Sequence, residues 1–518
     1  MKTKKILFTI FSIVSLLYVF NSCKKEEDKP SVLPYLFRPV GVNVDLNKTQ
    51  ATISWYKVDS AVSYTLEISQ DSLLFQNIIV SDTVESSPYI LDLAGGVRYS
   101  VRIKANAADP TKDSKFGGNI TFKTPTENIF FSISDTDYID NAAYIRWIAG
   151  SKVTHLLVKR DGYDPVKVEL TEDEMASGVK YLEGLSGGVT YTIEIYNTDI
   201  IKRGTLVFTT KPALVGNVVD LRSVPYRETI LYDTLSQISA GSIVILKRGK
   251  DYVIPNAYTF DKSVTILSGY SFITDQARIV LQNNFDASGN IDSLKFNDLT
   301  IVGSGTNYFM NVSNVTTIGL LSLEKIKTVG VFNNSFVRLK TAGDLVSKLY
   351  INNCIFDSIG IASKYALIYA NASSSAQYNN IEIQNSTFYS FYYFIRQDGV
   401  TTSSVTINNC TFNDMVNQSG YFINFTNFPP VLDVKNCILG RVSDPAASNG
   451  IKSTASALDL TGTYMTTDCV FSANPISATA YPNASTDLFT DPDHGDFTIK
   501  DNTFAGKSTA GDPRWQIQ

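Results

Sequence analysis

The stretch Leu349-Tyr350-Ile351-Asn352-Asn353-Cys354-Ile355-Phe356 decides the fold, because it recurs. It returns as Ile381 to Phe388 around Asn385-Ser386, as Val405 to Phe412 around Asn409-Cys410, and as Leu432 to Leu439 around Asn436-Cys437. Degenerate versions precede it at Leu294, Phe296 and Leu299, and at Leu321, Leu323 and Ile326. A weaker one follows at Asp468-Cys469-Val470-Phe471. Measured at the cysteine position, copies lie 24 to 32 residues apart. A unit of that size with one short alternating strand cannot bury its apolar face alone, so the copies must stack. Alternation turns Leu349, Ile351, Ile381, Ile383, Val405, Ile407, Leu432 and Val434 inward, and sends Tyr350, Asn352, Glu382, Gln384, Thr406, Asn408, Asp433 and Lys435 to solvent. Asn353, Asn385, Asn409 and Asn436 then form a ladder at the following turn, where Asn tolerates left-handed backbone and its amide can bond the next copy. The expectation is a right-handed parallel β-helix over residues 213–518, closed by a cap from about 487.

The residues before 213 repeat differently, with a period of 92. Trp55 matches Trp147, Leu93 matches Leu185, Gly95-Gly96 matches Gly187-Gly188, and Tyr99 matches Tyr191. Alternating strands follow, Ser100 to Lys104 in one copy and Thr192 to Ile195 in the other, which indicates two-sheet sandwiches. Each early Trp reads as a core plug and each late Tyr as the corner residue bonding back to the backbone. Both copies resemble immunoglobulin-like fibronectin type III modules, over residues 38–124 and 125–212. The second carries a charged insertion at Glu169 to Glu174. His155 reads as a surface position. The fold class is therefore all-β.

Composition excludes several functions. Of 518 residues, 44% are apolar and 18% charged, which fits a folded chain. With 45 Lys plus Arg against 50 Asp plus Glu, the net charge is -5, which speaks against nucleic acid as a partner. Only two histidines occur, so chemistry built on several is excluded. No residue pattern suggests a metal. Cys354, Cys410, Cys437 and Cys469 fall at one recurring position, where small apolar fillers suit a core, so free buried thiols are expected.

The N-terminus reads as an export address. Lys2, Lys4 and Lys5 precede an apolar run from Ile6 to Phe20, too short for a membrane span and suited to a signal h-region. Asn21-Ser22-Cys23 resembles a bacterial lipoprotein signal, which implies removal of residues 1–22 and lipidation of Cys23. The linker 23–37 opens with Lys24-Lys25-Glu26-Glu27-Asp28-Lys29, similar to the tag that places Bacteroidetes-type lipoproteins on the outer face of the outer membrane. The stretch Ala240 to Lys247, followed by Tyr252 to Ile254 and Ser263 to Ile266, resembles the opening coils of pectate-lyase-like β-helices. Leu488 to Pro492, Gly495 to Phe497 and Gly511-Asp512-Pro513-Arg514-Trp515 resemble the closing segment of uncharacterised Bacteroidetes surface lipoproteins encoded among polysaccharide-utilisation genes. Asp512 and Arg514 read as a terminal cap that seals the last rung.

This resemblance implies a polysaccharide partner, an outer-membrane lipid anchor and other glycan-uptake components. A lyase acting on uronate chains by β-elimination would need clustered carboxylates for calcium and a basic residue. The outward acids Glu324, Glu382 and Asp433 fall on non-adjacent copies, so the catalytic residues stay unassigned and no cofactor is expected, calcium entering only with the lyase alternative. A second strand in each rung reads Tyr308-Phe309-Met310-Asn311, Ala366-Leu367-Ile368-Tyr369, Tyr393-Phe394-Ile395-Arg396 and Tyr421-Phe422-Ile423-Asn424. Stacking aligns these into columns, with either the first and third or the second and fourth facing out. Aromatic faces stack on sugars while Asn and Arg bond hydroxyls or carboxylates, so Tyr369, Tyr393, Arg396, Tyr421 and Asn424 are the candidate glycan-binding residues. The expectation is a cell-surface glycan-binding lipoprotein. The alternatives are the lyase and a structural or adhesion spacer.

Overall fold

A computed structural model describes residues 35–306, 308–361, 365–371, 375–452 and 458–517. Cys23 and the leader lie outside them. The chain divides into two compact units, the first made of residues up to Asp137 with Ala142–Leu185 and Val189–Thr210, and the second holding Lys211 onward.

The first unit contains both sandwiches. In the earlier one, Asn43–Asn47, Gln50–Ser54 and Tyr89–Asp92 form one antiparallel sheet. The facing sheet has the order Ile78–Val84, Ser63–Ser69, Arg98–Asn106, Gly117–Lys123. Trp55 is buried against Tyr64 with centroids 5.2 Å apart. The Tyr99 hydroxyl accepts from the amide of Ala94 at 3.1 Å, the expected corner bond. In the later sandwich the charged insertion becomes a helix, Glu172–Ser177, started by a reciprocal capping box between Thr171 and Glu174. His155 is not at the surface. It is 4% exposed, stacked on Tyr196 at 5.2 Å, because its strand, His155–Lys159, lies between two others in its sheet. Its alternation turns the ring onto a neighbour's aromatic face.

The second unit is a right-handed parallel β-helix. One sheet stacks Tyr258–Phe260, Phe285–Ala287, Met310–Val312, Val337–Leu339, Ala366–Ala370, Tyr393–Gln397, Tyr421–Phe425 and Asn449–Lys452, all parallel. Eighteen further strands join in one sheet that bends at the asparagine turn, while Phe489–Asp491 and Asp496–Ile499 form a separate antiparallel pair. Leu349, Ile351, Ile381, Ile383, Val405, Ile407, Leu432 and Val434 are at most 1% exposed, as alternation requires. Inside, Phe356, Phe388 and Phe412 stack face to face with centroids 5.2 and 5.3 Å apart. Among the described residues no helix is long and apolar enough to cross a membrane.

The ladder is longer than the asparagines. Asp298, Lys325, Asn353, Asn385, Asn409 and Asn436 all have φ between +50 and +56°, and Gly462 continues the series at +72°. A Cβ on Gly462 would meet Asn436 Oδ1 at 2.2 Å, so the turn closes with the residue that has none. The amides do not bond their own equivalents. Asn385 Nδ2 donates to Asn352 Oδ1 and Asn436 Nδ2 to Asn408 Oδ1, each at 3.0 Å, one residue before the neighbouring ladder position.

The next position is also more than filler. The amide of Ile326 donates to Cys354 Sγ at 3.3 Å, that of Cys354 to Ser386 Oγ at 3.0 Å, and that of Cys437 to Thr463 Oγ1 at 3.1 Å. Cys, Ser and Thr share a small side chain with an acceptor lone pair, which caps the amide of the rung before. Ile438 pairs with Tyr464, so Thr463, not Cys469, occupies the seventh place. Cys354, Cys410, Cys437 and Cys469, the cysteines among the described residues, are free and buried. Burial pushes the Cys354 thiol up to about 12 and that of Cys410 well above its ordinary value.

Asp512 and Arg514 do not seal the last rung. The segment from Thr509 to Trp515 runs back along the ladder as a strap. The Thr509 carbonyl accepts from Asn409 Nδ2, the amide of Gly511 reaches the carbonyl of Asn436, and that of Asp512 reaches Thr411 Oγ1. Thr387 Oγ1 donates to the buried Asp512 carboxylate at 2.8 Å. Farthest back, Arg514 bonds the Cys354 carbonyl at 3.3 Å and Asn353 Oδ1.

Candidate functional site

The eight-stranded sheet carries the columns that sequence alignment left open. Asn311, Arg338, Tyr369, Arg396, Asn424 and Lys452 are successive partners in its register. The outward columns are the first and the fourth. Phe309, Phe394 and Phe422 are fully buried, and so are Ile395 and Ile423 beside them. Each phenylalanine lies at the corner where the chain enters the strand, and two consecutive residues face inward there. Strict alternation, which allowed only the first and third or the second and fourth, fails at that corner.

The outer surface brings Tyr369, Tyr393, Arg396, Tyr421 and Asn424 together, and adds Tyr308, Arg338, Tyr365 and Asp398. Tyr369 and Tyr393 are only 6% and 7% exposed, however, so their rings are not open faces for a sugar. They cradle a cation instead. The Arg396 guanidinium lies 4.9 Å from the Tyr369 ring centroid and 5.6 Å from that of Tyr393. Its Nε donates to Asp398 Oδ1 at 2.8 Å, and the Tyr369 hydroxyl donates to Asp398 Oδ2 at 3.0 Å. Tyr393 stacks in turn on Tyr392 and Tyr421, at 5.2 and 6.0 Å.

One cradle up the sheet, Arg338 lies 5.1 Å from the Tyr365 ring and 5.6 Å from that of Tyr308. It bonds the Tyr308 hydroxyl at 2.8 Å and Asn371 Oδ1 at 3.1 Å, both neutral. Sequence reading missed Arg338 because its strand, Val337–Leu339, has only three residues and no Tyr-Phe signature. Burial raises the Tyr369 hydroxyl above its ordinary value. For Arg396, burial works to lower the value, and the Asp398 hydrogen bond together with the charges of Asp398, Tyr369 and Tyr393 outweighs it. Burial also raises the Tyr308 and Tyr393 hydroxyls, so these phenols stay protonated at any ordinary pH. Chemically the face offers guanidinium edges, amide groups and a lysine. Among the described residues, the Asn311 Oδ1 acceptor is buried without a hydrogen-bond partner.

The outward acids of the other sheet do not converge. Glu382 pairs with Lys348 at 2.6 Å, and Asp433 with Lys435 at 3.1 Å. Among the described residues no group of three or more His, Cys, Asp or Glu is placed to hold a metal ion. A cleft of about 770 Å³ lies on the first sandwich beside Tyr35, Phe37 and Tyr56, and no repeated polar arrangement lines it. A smaller one, about 370 Å³, holds Gln276, Asp298, Lys325, Lys327 and Arg514 where the strap stops.

Comparisons with known proteins reach the two units separately. Crystallised chicken CNTN1 FN1-FN3 domains are similar at 14% identity over 34% of this chain and 68% of that one, with a TM-score of 0.16. A two fibronectin type-III domain segment from chicken tenascin is 20% identical over 34% of this chain and 99% of its own length, with a TM-score of 0.17. No curated protein matches the sequence. Residues 405–515, the last rungs together with the strap, match a protein family described as Domain of unknown function (DUF5123).

Proposed function

We propose that this protein is a cell-surface lipoprotein, anchored in the outer membrane through Cys23, that binds a polysaccharide along the Arg338–Arg396 face as part of a glycan-utilisation system. One observation carries the reading: a single sheet lines up cradled guanidiniums, amides and a lysine over many rungs. A long, repetitive ligand is the kind that a long, repetitive surface fits. Guanidinium edges and Asn amides bond sugar hydroxyls and acidic substituents in the geometry that sugars present. The fibronectin type III modules act as spacers between anchor and ligand.

Affinity electrophoresis of the full chain over a panel of plant and host polysaccharides tests this. Retardation by at least one glycan, reduced in Arg396→Ala, is expected. Migration unchanged on every glycan would replace the reading with a structural spacer. Appearance of unsaturated sugar products would replace it with a lyase.

A further inference from the structure

The segment that enters the first sandwich is pinned at both ends. The Leu36 amide donates to the Lys112 carbonyl at 2.8 Å, and the Tyr56 amide to the Val40 carbonyl at 3.0 Å. Leu36 packs against the core of the module, while its neighbours Tyr35 and Phe37 face outward and line, with Tyr56, the cleft of about 770 Å³. These three rings are 62%, 67% and 69% exposed, against 6% and 7% for the cradled Tyr369 and Tyr393. Tyr56 is also held in place. A Cβ on Gly41 would lie 2.5 to 2.9 Å from three atoms of its ring, so only glycine leaves room for the ring to rest there. Open aromatic rings gathered in a concavity mark a binding site.

The polar lining narrows the occupant. Arg38, Lys57 and Lys112 bring positive charge to the cleft, and Asp59 and Asp109 bring negative charge. Among the described residues, the side chains of Arg38, Lys57 and Asp59 enter no ion pair or hydrogen bond, so their donors and acceptors are not already spent. A nucleic acid or an anionic membrane is met by cations alone, and an apolar peptide would strand these charges. A sugar uses both signs, because each hydroxyl donates and accepts, while the hydrogens on its ring carbons pack against aromatic faces. The size agrees, since small-ligand pockets span about 300–1,000 Å³. The lining does not repeat, which fits a short stretch of sugars better than a long run of identical units.

From this combination we infer that the cleft is a carbohydrate site in its own right. It takes a short uncharged saccharide, stacked on Tyr35, Phe37 and Tyr56 and hydrogen-bonded by Arg38, Lys57 and Asp59. The inference goes beyond the reading of the coil face and neither needs nor excludes binding there.

The test is titration calorimetry of the full chain with cello-, manno-, xylo- and galacto-oligosaccharides. At least one is expected to bind, with affinity unchanged as salt rises. Phe37→Ala and Tyr56→Ala are each expected to weaken that binding about fivefold or more, and Tyr56→Phe to keep it within about twofold. Arg396→Ala should leave it unchanged. Both rings are exposed, so their loss spares the core of the module, and an unchanged thermal transition checks this. Binding by none of the four saccharides overturns the inference, as does binding that neither ring replacement weakens. Binding that Arg396→Ala abolishes and Tyr56→Ala spares overturns it while upholding the coil face. Affinity that falls steeply with salt overturns the uncharged class. Self-association lost in Phe37→Ala, without saccharide binding, would give the cleft to a second copy of the chain instead.

Discussion

Trp55 and Phe388 are both buried aromatics, and they are held in opposite ways. Trp55 sits in a closed cluster with Ile53, Tyr64, Leu66 and Val101, residues unlike itself drawn from two facing sheets. Phe388 sits between Phe356 and Phe412, its own equivalents one rung away on either side. A sandwich core is a finite set with one arrangement. The coil is a line in which each member depends on its nearest neighbours, so damage should spread along it rather than through a whole domain.

The largest test of that contrast is Phe388→Ala. Loss of a buried phenyl ring typically costs about 3–5 kcal/mol. Hydrogen exchange should show rungs around 356–412 opening while Gln50–Ser54 and Arg98–Asn106 keep their protection. A uniform loss across both units would break the comparison.

A pair of carboxylates sharpens it next. Asp344 is fully buried in the coil, and burial, only partly offset by the amides of Thr341 and Thr316, raises it to about 6 from 3.8. The folded chain therefore holds a proton that the unfolded chain releases. That contribution is complete below pH 3.8 and is lost as pH rises through about 6. Urea titrations from pH 4 to 7 should show the natural chain losing about 2–3 kcal/mol relative to Asp344→Asn. Asp71, on the first sandwich, has the opposite sign. Desolvation raises it, but Ser69 and the amides of Asn77, Gln76 and Phe75 outweigh this and hold it at about 2. Its stabilisation is present above pH 3.8 and lost as pH falls toward about 2. A flat difference between Asp344→Asn and the natural chain would remove the coil half of this pair.

Tyr99→Phe deletes the corner bonds to the Ala94 amide and carbonyl. About 1–2 kcal/mol should be lost from the first sandwich alone, seen as an earlier transition of that module with the coil unchanged. The smallest effect separates the two contributions to the ladder. Asn385→Ala places Ala in left-handed backbone at about 1–2 kcal/mol, while Asn385→Gly should cost less than 1 kcal/mol, the bond to Asn352 alone. Equal thermal shifts for the two would mean the amide, not the backbone, sets the turn.

Legibility in the sequence followed the same division. Leu349, Ile351 and their equivalents were readable because a two-residue period has one meaning wherever one face is buried. The ladder was readable at Asn353 to Asn436, where one residue type repeats. It was hidden at Asp298, Lys325 and Gly462, where the same backbone is met by other chemistry. Thr463 escaped because the shared property of its column is a lone pair near the backbone, not a residue name. The outer face of the eight-stranded sheet was half legible. Tyr369 and Arg396 were found, but whether a tyrosine offers its ring to a sugar or to an arginine depends on contacts across rungs, as between Arg338 and Tyr365. The strap was the least legible element. Arg514 meets Cys354 across 160 positions, and no local pattern encodes so distant a partner.

That strap follows in sequence every rung it ties. As the chain is made from its N-terminus, the earlier coils can wind as they arrive, but the fastening from Asn353 to Asn436 must wait for Thr509 to Trp515. A product cut short anywhere before that buckle would emerge wound yet unfastened, and a protease could tell it from a finished molecule.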